Sequence, residues 1–233
     1  AVSPLACGSR VLAMTEQAPH PYVFRSCSGY AQQGRTMANF AAANLSAHSA
    51  LVLRTAEGPF ADFADAFIAE FTASGGQIIA DEVIGPGETD LSRYVTQLAQ
   101  TPVDVVYVAT ASAEAAHLIG QLRGAGLKHP VLGIESFNDP VLRDIAGAGA
   151  LTGVYFTVDF SSADSRNPRV QEFIDAYRNA WNGEEPSSQS ALGHDAALLI
   201  LDAIRRANSP TGVEVQRALA ETQNLDGVTG RMS

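Results

Sequence analysis

The chain alternates between short continuous apolar runs and longer runs in which apolar residues recur every three or four positions. The short runs predict strands at 49–53, 77–80, 103–109, 130–134 and 153–158. The intervening runs predict helices at 60–74, 91–100, 113–125 and 140–146. Strands that helices cover on both faces are apolar throughout, so this alternation predicts a parallel sheet with right-handed crossovers.

Local signals mark where several of these elements begin and end. One helical stripe in 60–74 is formed by Phe60, Phe63, Ala64, Phe67 and Phe71. The pair Gly75-Gly76 ends this helix, because glycine readily adopts the left-handed conformation that follows a helix. Asp90 and Ser112 are predicted to be the N-caps of the helices at 91–100 and 113–125.

The pattern changes after Asp159. Residues 161–168 are polar and rich in turn formers, and the remaining apolar periodicity predicts helices at 168–181, 190–207 and 211–222. Three successive helices need a sheet to cover, but the segment before Tyr22 offers little strand. Residues 22–26 read as a strand that crosses between two lobes. We therefore expect one lobe that is nearly whole and another whose sheet lies mostly outside this chain.

Composition narrows the function classes. The chain has 233 residues, of which 46% are hydrophobic and 17% charged, so a packed core of one large domain or two smaller ones is expected. The net charge of −10 argues against a general nucleic-acid binder. No apolar run approaches the ~20 residues that span a bilayer, and no leader is visible. The protein is therefore expected to be cytosolic, or to have lost its leader.

Catalytic and metal motifs are not found in the sequence. There is no P-loop, no GxGxxG after a strand, no GxSxG and no HExxH, so neither an enzyme nor a cofactor or metal site is predicted. His194-Asp195 lies within a predicted helix, where adjacent side chains point in different directions, which favours a packing role over a catalytic pair. Cys7 and Cys27 match no metal spacing; they form either a bridge in an oxidising compartment or two free thiols.

A ligand site is predicted at the carboxyl ends of the strands. Ligands of open parallel sheets bind beyond these ends. Glu135 directly follows the strand at 130–134, and its carboxylate can pair with a ligand ammonium group. The alternative is a solvated or helix-capping acid.

The preceding strands end in further candidates. Thr110, Ala111 and Ser112 follow the strand at 103–109 and suit hydrogen bonds to a ligand, with ordinary helix capping as the alternative. Phe60 follows Gly58-Pro59 and forms either an apolar pocket wall or the start of the helical stripe.

The order of the motifs resembles a known family. The matching segments include YVFR at 22–25, DVVYV at 104–108, GAGL at 124–127, PVLG at 130–133, HDAA at 194–197 and DGVTG at 226–230. In this order and spacing, they are similar to the type I periplasmic solute-binding proteins of ABC transporters, specifically the leucine/isoleucine/valine-binding group.

The resemblance implies an α/β fold of two Rossmann-like lobes joined by three crossing strands, with the ligand held between them. Residues 1–26 would then be part of the N-terminal lobe and the first crossing. Residues 27–156 would form the C-terminal lobe, and 157–233 the returning helices up to the third crossing. Further residues of the N-terminal lobe, which the family normally has, would precede and follow this chain.

The resemblance also implies a function. The protein would capture an amino acid or an amino-acid-like molecule by hinge closure and deliver it to an ABC transporter permease in the membrane. It would be periplasmic or extracellular, with no enzymatic activity, cofactor, metal or nucleic-acid partner. The alternative is the ligand-sensing domain of a receptor or regulator, for an amino acid or an amide- or urea-type ligand.

Site residues carry over from the family one by one. The implied ligand-binding residues are Glu135, Phe60, Thr110, Ala111, Ser112, Ser9 and Arg10. Glu135 matches the acid that grips the α-ammonium group, and Ser9, Arg10 and Thr110 fall near the carboxylate of the ligand. Phe60 stands where the family often has tyrosine. Ala111 or Ser112 stands where a second aromatic often closes the pocket, which implies either a wider pocket or a different ligand.

Overall fold

The computed structural model describes residues 1–8, 22–56, 58–163 and 167–233. The chain folds into two compact units. Unit 1 comprises Ala1–Gly29 and Asp159–Ser233, and unit 2 comprises Tyr30–Val158. Across the described ranges, no helix is long and apolar enough to cross a membrane.

Unit 2 is a parallel α/β sheet, which confirms the predicted fold class. Its strands are β3 (Ser49–Arg54), β4 (Gln77–Val83), β5 (Val105–Ala109), β6 (Val131–Gly133) and β7 (Val154–Phe156). All pairings are parallel, in the order β4-β3-β5-β6-β7. Each strand lies within a few residues of its prediction, and the largest difference is β4, which runs three residues further.

Helices cover both faces of this sheet. They are α1 (Tyr30–Leu45), α2 (Pro59–Ala73), α3 (Ser92–Gln100), α4 (Ser112–Gly124) and α5 (Pro140–Ala146), with 3-10 turns at Glu135–Asn138 and Ala148–Leu151. Alternate strand residues enter two separate apolar clusters, as the two-residue period of a strand requires. Phe67 of α2 stacks on Tyr107 of β5 with ring centroids 3.9 Å apart, and burial raises the pKa of the Tyr107 phenol.

Helix α1 was not predicted from the sequence. Its apolar face consists largely of alanine, so the two faces of the helix differ little in hydrophobicity and the helical period is weak in the sequence. Gly34 allows α1 to approach α2 closely, because a Cβ atom at this position would lie 2.3 Å from the carbonyl oxygen of Phe63. Close backbone packing at Gly34 thus adds to the contacts of the larger side chains of α1, such as Met37 in the apolar cluster and Tyr30, which stacks on Phe63.

Two predicted helix caps are wrong by one residue. Leu91 occupies the position before α3, while the carboxylate of Asp90 accepts a hydrogen bond from the Ser92 N–H at 3.1 Å. The Asp90 side chain thus closes a turn ahead of the helix instead of capping it. Ala111 precedes α4, and Ser112 is the first helical residue, because the extended backbone already ends at Ala111.

The described part of unit 1 contains two short strand pairs and three helices. Strands β1 (Val2–Ser3) and β2 (Phe24–Arg25) pair in parallel, so the strand predicted at 22–26 forms over its two central residues. The helices are α6 (Pro168–Ala180), α7 (Ser188–Arg206) and α8 (Gly212–Ala220), followed by the antiparallel pair β8 (Leu225–Asp226) and β9 (Arg231–Met232). A Cys7–Cys27 disulfide decides the open question about the two cysteines.

The buried carboxylate of Asp195 organises the end of unit 1. It accepts hydrogen bonds from the backbone N–H groups of Val228 and Thr229 at 2.9 and 2.8 Å, and from the Thr229 hydroxyl at 2.6 Å. A Cβ atom at Gly227 would lie 2.4 Å from Asp195 Oδ2, so glycine allows this close approach. Asp195 therefore has the structural role that the sequence favoured, although the adjacent side chains do meet, with His194 Nδ1 3.1 Å from Asp195 Oδ1.

Candidate ligand-binding site

Three neighbouring strands of unit 2 end side by side, and polar groups tie their carboxyl ends together. The hydroxyl groups of Thr55, after β3, and Thr110, after β5, are hydrogen-bonded at 2.8 Å. The Thr55 N–H donates to the Ala109 carbonyl oxygen at 3.0 Å. Beyond β6, the Ser136 hydroxyl donates to the Thr110 carbonyl oxygen at 2.8 Å. We call Thr55, Thr110, Glu135 and Ser136 the strand-end cluster.

Glu135 lies at the start of the 3-10 turn that follows β6. Phe137 anchors this turn, since it is 2% exposed and its ring covers Gly133, where a Cβ atom would lie 2.3 Å from the ring. Glycine at 133 therefore permits the tight reversal that brings Glu135 to the end of the sheet. The Glu135 side chain is half-buried.

The Glu135 carboxylate is held by a residue of α1. The Gln33 amide nitrogen donates to Glu135 Oε2 at 2.8 Å. The amide oxygen of Gln33 accepts from the Thr157 hydroxyl, also at 2.8 Å. Gln33 is only 5% exposed, so this chain of hydrogen bonds runs through a largely buried amide.

The other predicted residues are distributed around the same edge. Phe60 is the second residue of α2, half-buried and packed against the apolar cluster of that face. Ala111 and Ser112 are half-buried at the start of α4. Thr110 has no exposed surface, and its hydroxyl is bonded to Thr55, so its ligand contact stays a prediction.

Ser9 and Arg10, the two predicted residues nearest the N-terminus, lie outside the described residues. In the ranges that the structure describes, no three His, Cys, Asp or Glu side chains come together in a group suited to a metal ion. The polar chemistry of the described edge is therefore that of hydroxyl groups, an amide and one carboxylate.

Comparison with known proteins decides the family. A model of the family described as "Periplasmic binding protein" matches residues 1–233. The chain belongs to the periplasmic binding protein family. It is 30% identical over 152 residues to the Leu/Ile/Val-binding protein homolog 1 of Brucella suis, a match that covers 65% of this chain and 40% of the relative.

Solved structures of similar proteins share the fold. A leucine-binding protein LivK from Thermotoga maritima superposes with a TM-score of 0.84 at 28% identity, covering 99% of this chain and 64% of the other. LivJ from Streptococcus pneumoniae, solved in complex with isoleucine, gives a TM-score of 0.79 at 29% identity and covers 92% and 60%. This periplasmic binding protein chain thus spans less than two thirds of the length of these proteins.

Four residues of the site were missed in the sequence. Thr55 and Ser136 carry hydroxyl groups and follow predicted strands, so both could have been predicted from their positions alone. Gln33 lies on the helix that was not predicted, and Thr157 lies 124 residues away from it in the chain. No local pattern connects these two residues.

Proposed function

We propose that this periplasmic binding protein captures an amino acid at the strand-end cluster, with Glu135 binding the α-ammonium group. The observation that supports the proposal most is the placement of Glu135. It is a half-buried carboxylate beyond β6, beside the joined ends of β3 and β5, where open parallel sheets bind ligands. Its orientation is held by the Gln33 amide.

The chemistry of the edge suits an amino acid. A half-buried carboxylate pairs with an ammonium group more strongly than an exposed one, because water screens the pair less. Phe60 is proposed as an apolar wall, and Ser112 as a hydroxyl contact at the start of α4. Thr110, Ala111, Ser9 and Arg10 remain proposed contacts, and a ligand bond donated by the Thr110 hydroxyl requires Thr55 to be the donor in their mutual hydrogen bond.

Leucine, isoleucine and valine are the first candidates for the ligand. The curated relative is named a Leu/Ile/Val-binding protein homolog, and one similar structure contains isoleucine. An apolar side chain at position 60 is compatible with such ligands. A thermal-shift screen of the twenty amino acids is expected to raise the unfolding temperature most for this group.

Calorimetry of a Glu135→Gln variant tests the binding role. Losing the charge while keeping the shape is expected to weaken amino-acid binding roughly tenfold to a hundredfold, the cost of a charge-assisted hydrogen bond. Glu70→Gln is the matched control, because Glu70 lies on α2 away from the strand-end cluster. Equal affinities for Glu135→Gln and the native protein would contradict the proposal.

We further propose that the loaded protein delivers its ligand to an ABC transporter permease outside the cytoplasm. The Cys7–Cys27 disulfide supports this location, because disulfides persist in oxidising compartments. Loss of the gene is expected to abolish high-affinity uptake of the labelled ligand in cells. Unchanged uptake would favour a sensing role instead.

Capture by hinge closure stays a prediction. A fall in the radius of gyration when the ligand binds would support it.

A further inference from the structure

A single buried amide connects the proposed ligand-binding carboxylate to the last segment of unit 2. Gln33 is 5% exposed and lies in the first turn of α1. It donates to Glu135 Oε2 and accepts from the Thr157 hydroxyl, both at 2.8 Å. The three side chains come from elements that are far apart in the sequence, with separations of 102 and 124 residues.

The direction of these hydrogen bonds follows from the chemistry of the groups. An ionised carboxylate only accepts, so the NH₂ end of the Gln33 amide must face Glu135. The amide oxygen then faces Thr157, which must donate its hydroxyl proton. The Glu135 carboxylate therefore selects the orientation of the amide, and the Thr157 hydroxyl, which can donate or accept, satisfies the amide oxygen in that orientation. The reverse orientation would place two acceptors against each other.

The position of Gln33 is itself fixed by packing. Its neighbour Gly34 brings α1 against α2, since a Cβ atom there would meet the Phe63 carbonyl oxygen at 2.3 Å. Thr157 follows β7 directly and precedes Asp159, where the chain enters unit 1, by two residues. The amide is thus held from one side by helix packing and from the other by the segment that leaves unit 2.

We propose that Gln33 is a positioning residue of this site: its amide, which also accepts from Thr157, holds the Glu135 carboxylate in the geometry that binds the ligand ammonium group. The inference rests on the proposed function of Glu135. A residue that only packed α1 onto the sheet would not need an amide, because an apolar side chain of the same length would fill the same space. Methionine is such a side chain.

Calorimetry with leucine, isoleucine and valine tests the inference. Gln33→Met is expected to weaken binding about tenfold or more, and Thr157→Val about threefold, whereas Thr157→Ser keeps the hydroxyl and should restore binding to near the native value. Gln32→Met is the matched control, since the neighbouring Gln32 is exposed and its side chain bonds only Arg35 among the described residues.

A double-variant cycle separates positioning from packing. In the Glu135→Gln background, Gln33→Met is expected to change affinity less than twofold, because the carboxylate through which it acts is gone. An equal loss in both backgrounds would show that Gln33 acts through folding or packing and would overturn the inference. A loss for Glu135→Gln together with native affinity for Gln33→Met would overturn it while leaving the proposed function intact.

A measurement without ligand distinguishes failure of the inference about Gln33 from failure of the proposed function. The side-chain NH₂ signals of Gln33, assigned by their disappearance in Gln33→Met, should shift in both Thr157→Val and Glu135→Gln and stay unchanged in Gln32→Met. If the native protein binds none of the three amino acids but these shifts appear, the proposed ligand is wrong and the hydrogen-bond chain stands. Unchanged Gln33 signals would overturn the inference whatever the protein binds.

Discussion

Asp195 is a carboxylate without exposed surface that holds residues 228 and 229 by three hydrogen bonds. Asp195→Ala leaves the buried N–H of Val228 and the partly buried N–H and hydroxyl of Thr229 without their acceptor, so we expect the free energy of unfolding to fall by about 3 kcal/mol. Urea unfolding followed by the fluorescence of Trp181, the only tryptophan and a residue of unit 1, measures this.

Asp202 provides the control for this prediction on the same helix. It pairs with Arg206 one turn away at 2.7 Å, and the Arg206 side chain is 37% exposed. Such a pair contributes only about 0.5 kcal/mol, so Asp202→Ala should unfold close to the native midpoint. If Asp195→Ala is no less stable than Asp202→Ala, the structural role of Asp195 is wrong.

Residue roles could be predicted where a residue's chemistry and its place at the end of a strand agreed. Glu135 could be proposed as a ligand-binding residue because it follows an apolar run that predicted a strand, and its role stays a prediction. Gln33 and Thr157 were not, because their meaning depends on contacts over 102 and 124 residues of separation. A single sequence contains no pattern that predicts which residues meet over such separations.

The contact between α1 and α2 depends on glycine at position 34, where any side chain would be too close to α2. A Cβ atom at Gly34 would lie 2.3 Å from a backbone oxygen of α2, so Gly34→Ala should force the helices apart and destabilise unit 2 by about 1–3 kcal/mol. Gly120 lies within α4, where a Cβ atom meets nothing closer than 4.0 Å.

Gly120→Ala is therefore the matched control, and it is expected to stabilise the helix by about 0.5–1 kcal/mol. Thermal unfolding followed by circular dichroism measures both variants. A lower stability of Gly34→Ala together with a higher stability of Gly120→Ala supports the close packing of α1 on α2. A stabilising Gly34→Ala would contradict it.

The starts of β3 and β5 are tied by Asp104. Its carboxylate accepts from the His48 N–H at 2.8 Å and from the Ser49 N–H and hydroxyl, each at 2.9 Å. The His48 N–H first, and then the Ser49 hydroxyl, lower the pKa of Asp104 below its ordinary 3.8. A carboxyl group whose pKa is lower in the folded than in the unfolded state stabilises the fold at pH values above its pKa in the unfolded state.

This contribution should be complete above about pH 5 and lost as the pH falls through the lowered pKa of Asp104. The difference in unfolding midpoint between the native protein and Asp104→Asn is therefore expected to be constant from about pH 7 to 5 and to shrink below about pH 4. Denaturant titrations at a series of pH values measure it. A difference that grows on acidification would show that the bonds to His48 and Ser49 do not favour the charged form.

Elements with strong periodicity were predicted well, and the rest were not. The five strands of unit 2 are confirmed because each is a continuous apolar run between turn residues. Helix α1 was missed because three of its five buried residues are glycine or alanine, so the apolar periodicity on which prediction relies is weak there. Strands β1 and β8 are two residues long, too short for any pattern.

In the molecule as a whole, the Cys7–Cys27 disulfide restrains unit 1. It closes a loop with a sequence separation of 20, and such a loop is worth about 3 kcal/mol. Reduction is expected to lower the urea midpoint reported by Trp181, while a Cys7→Ser/Cys27→Ser double variant should not respond to reductant. Equal midpoints for the native protein with and without reductant would contradict this role of the disulfide.

The parallel α/β sheet followed from the alternation of elements, and the family and the two-lobe fold that it implies followed from the order of motifs between 22 and 230. The ligand could not be predicted in the same way. A binding site depends on distances between side chains of separate elements that are fixed to about half an ångström, whereas sequence patterns report only which elements form. The lobe boundaries at residues 26 and 156 accordingly stay predictions.

The central claim is that Glu135 binds the ammonium group of an amino acid, and one comparison tests it most directly. Calorimetric titration should use leucine and 4-methylpentanoate, which is leucine without its amino group, on the native protein and on Glu135→Gln. The native protein should prefer leucine by about a hundredfold, and Glu135→Gln should lose most of that preference. A preference for leucine that is unchanged in Glu135→Gln would contradict the claim.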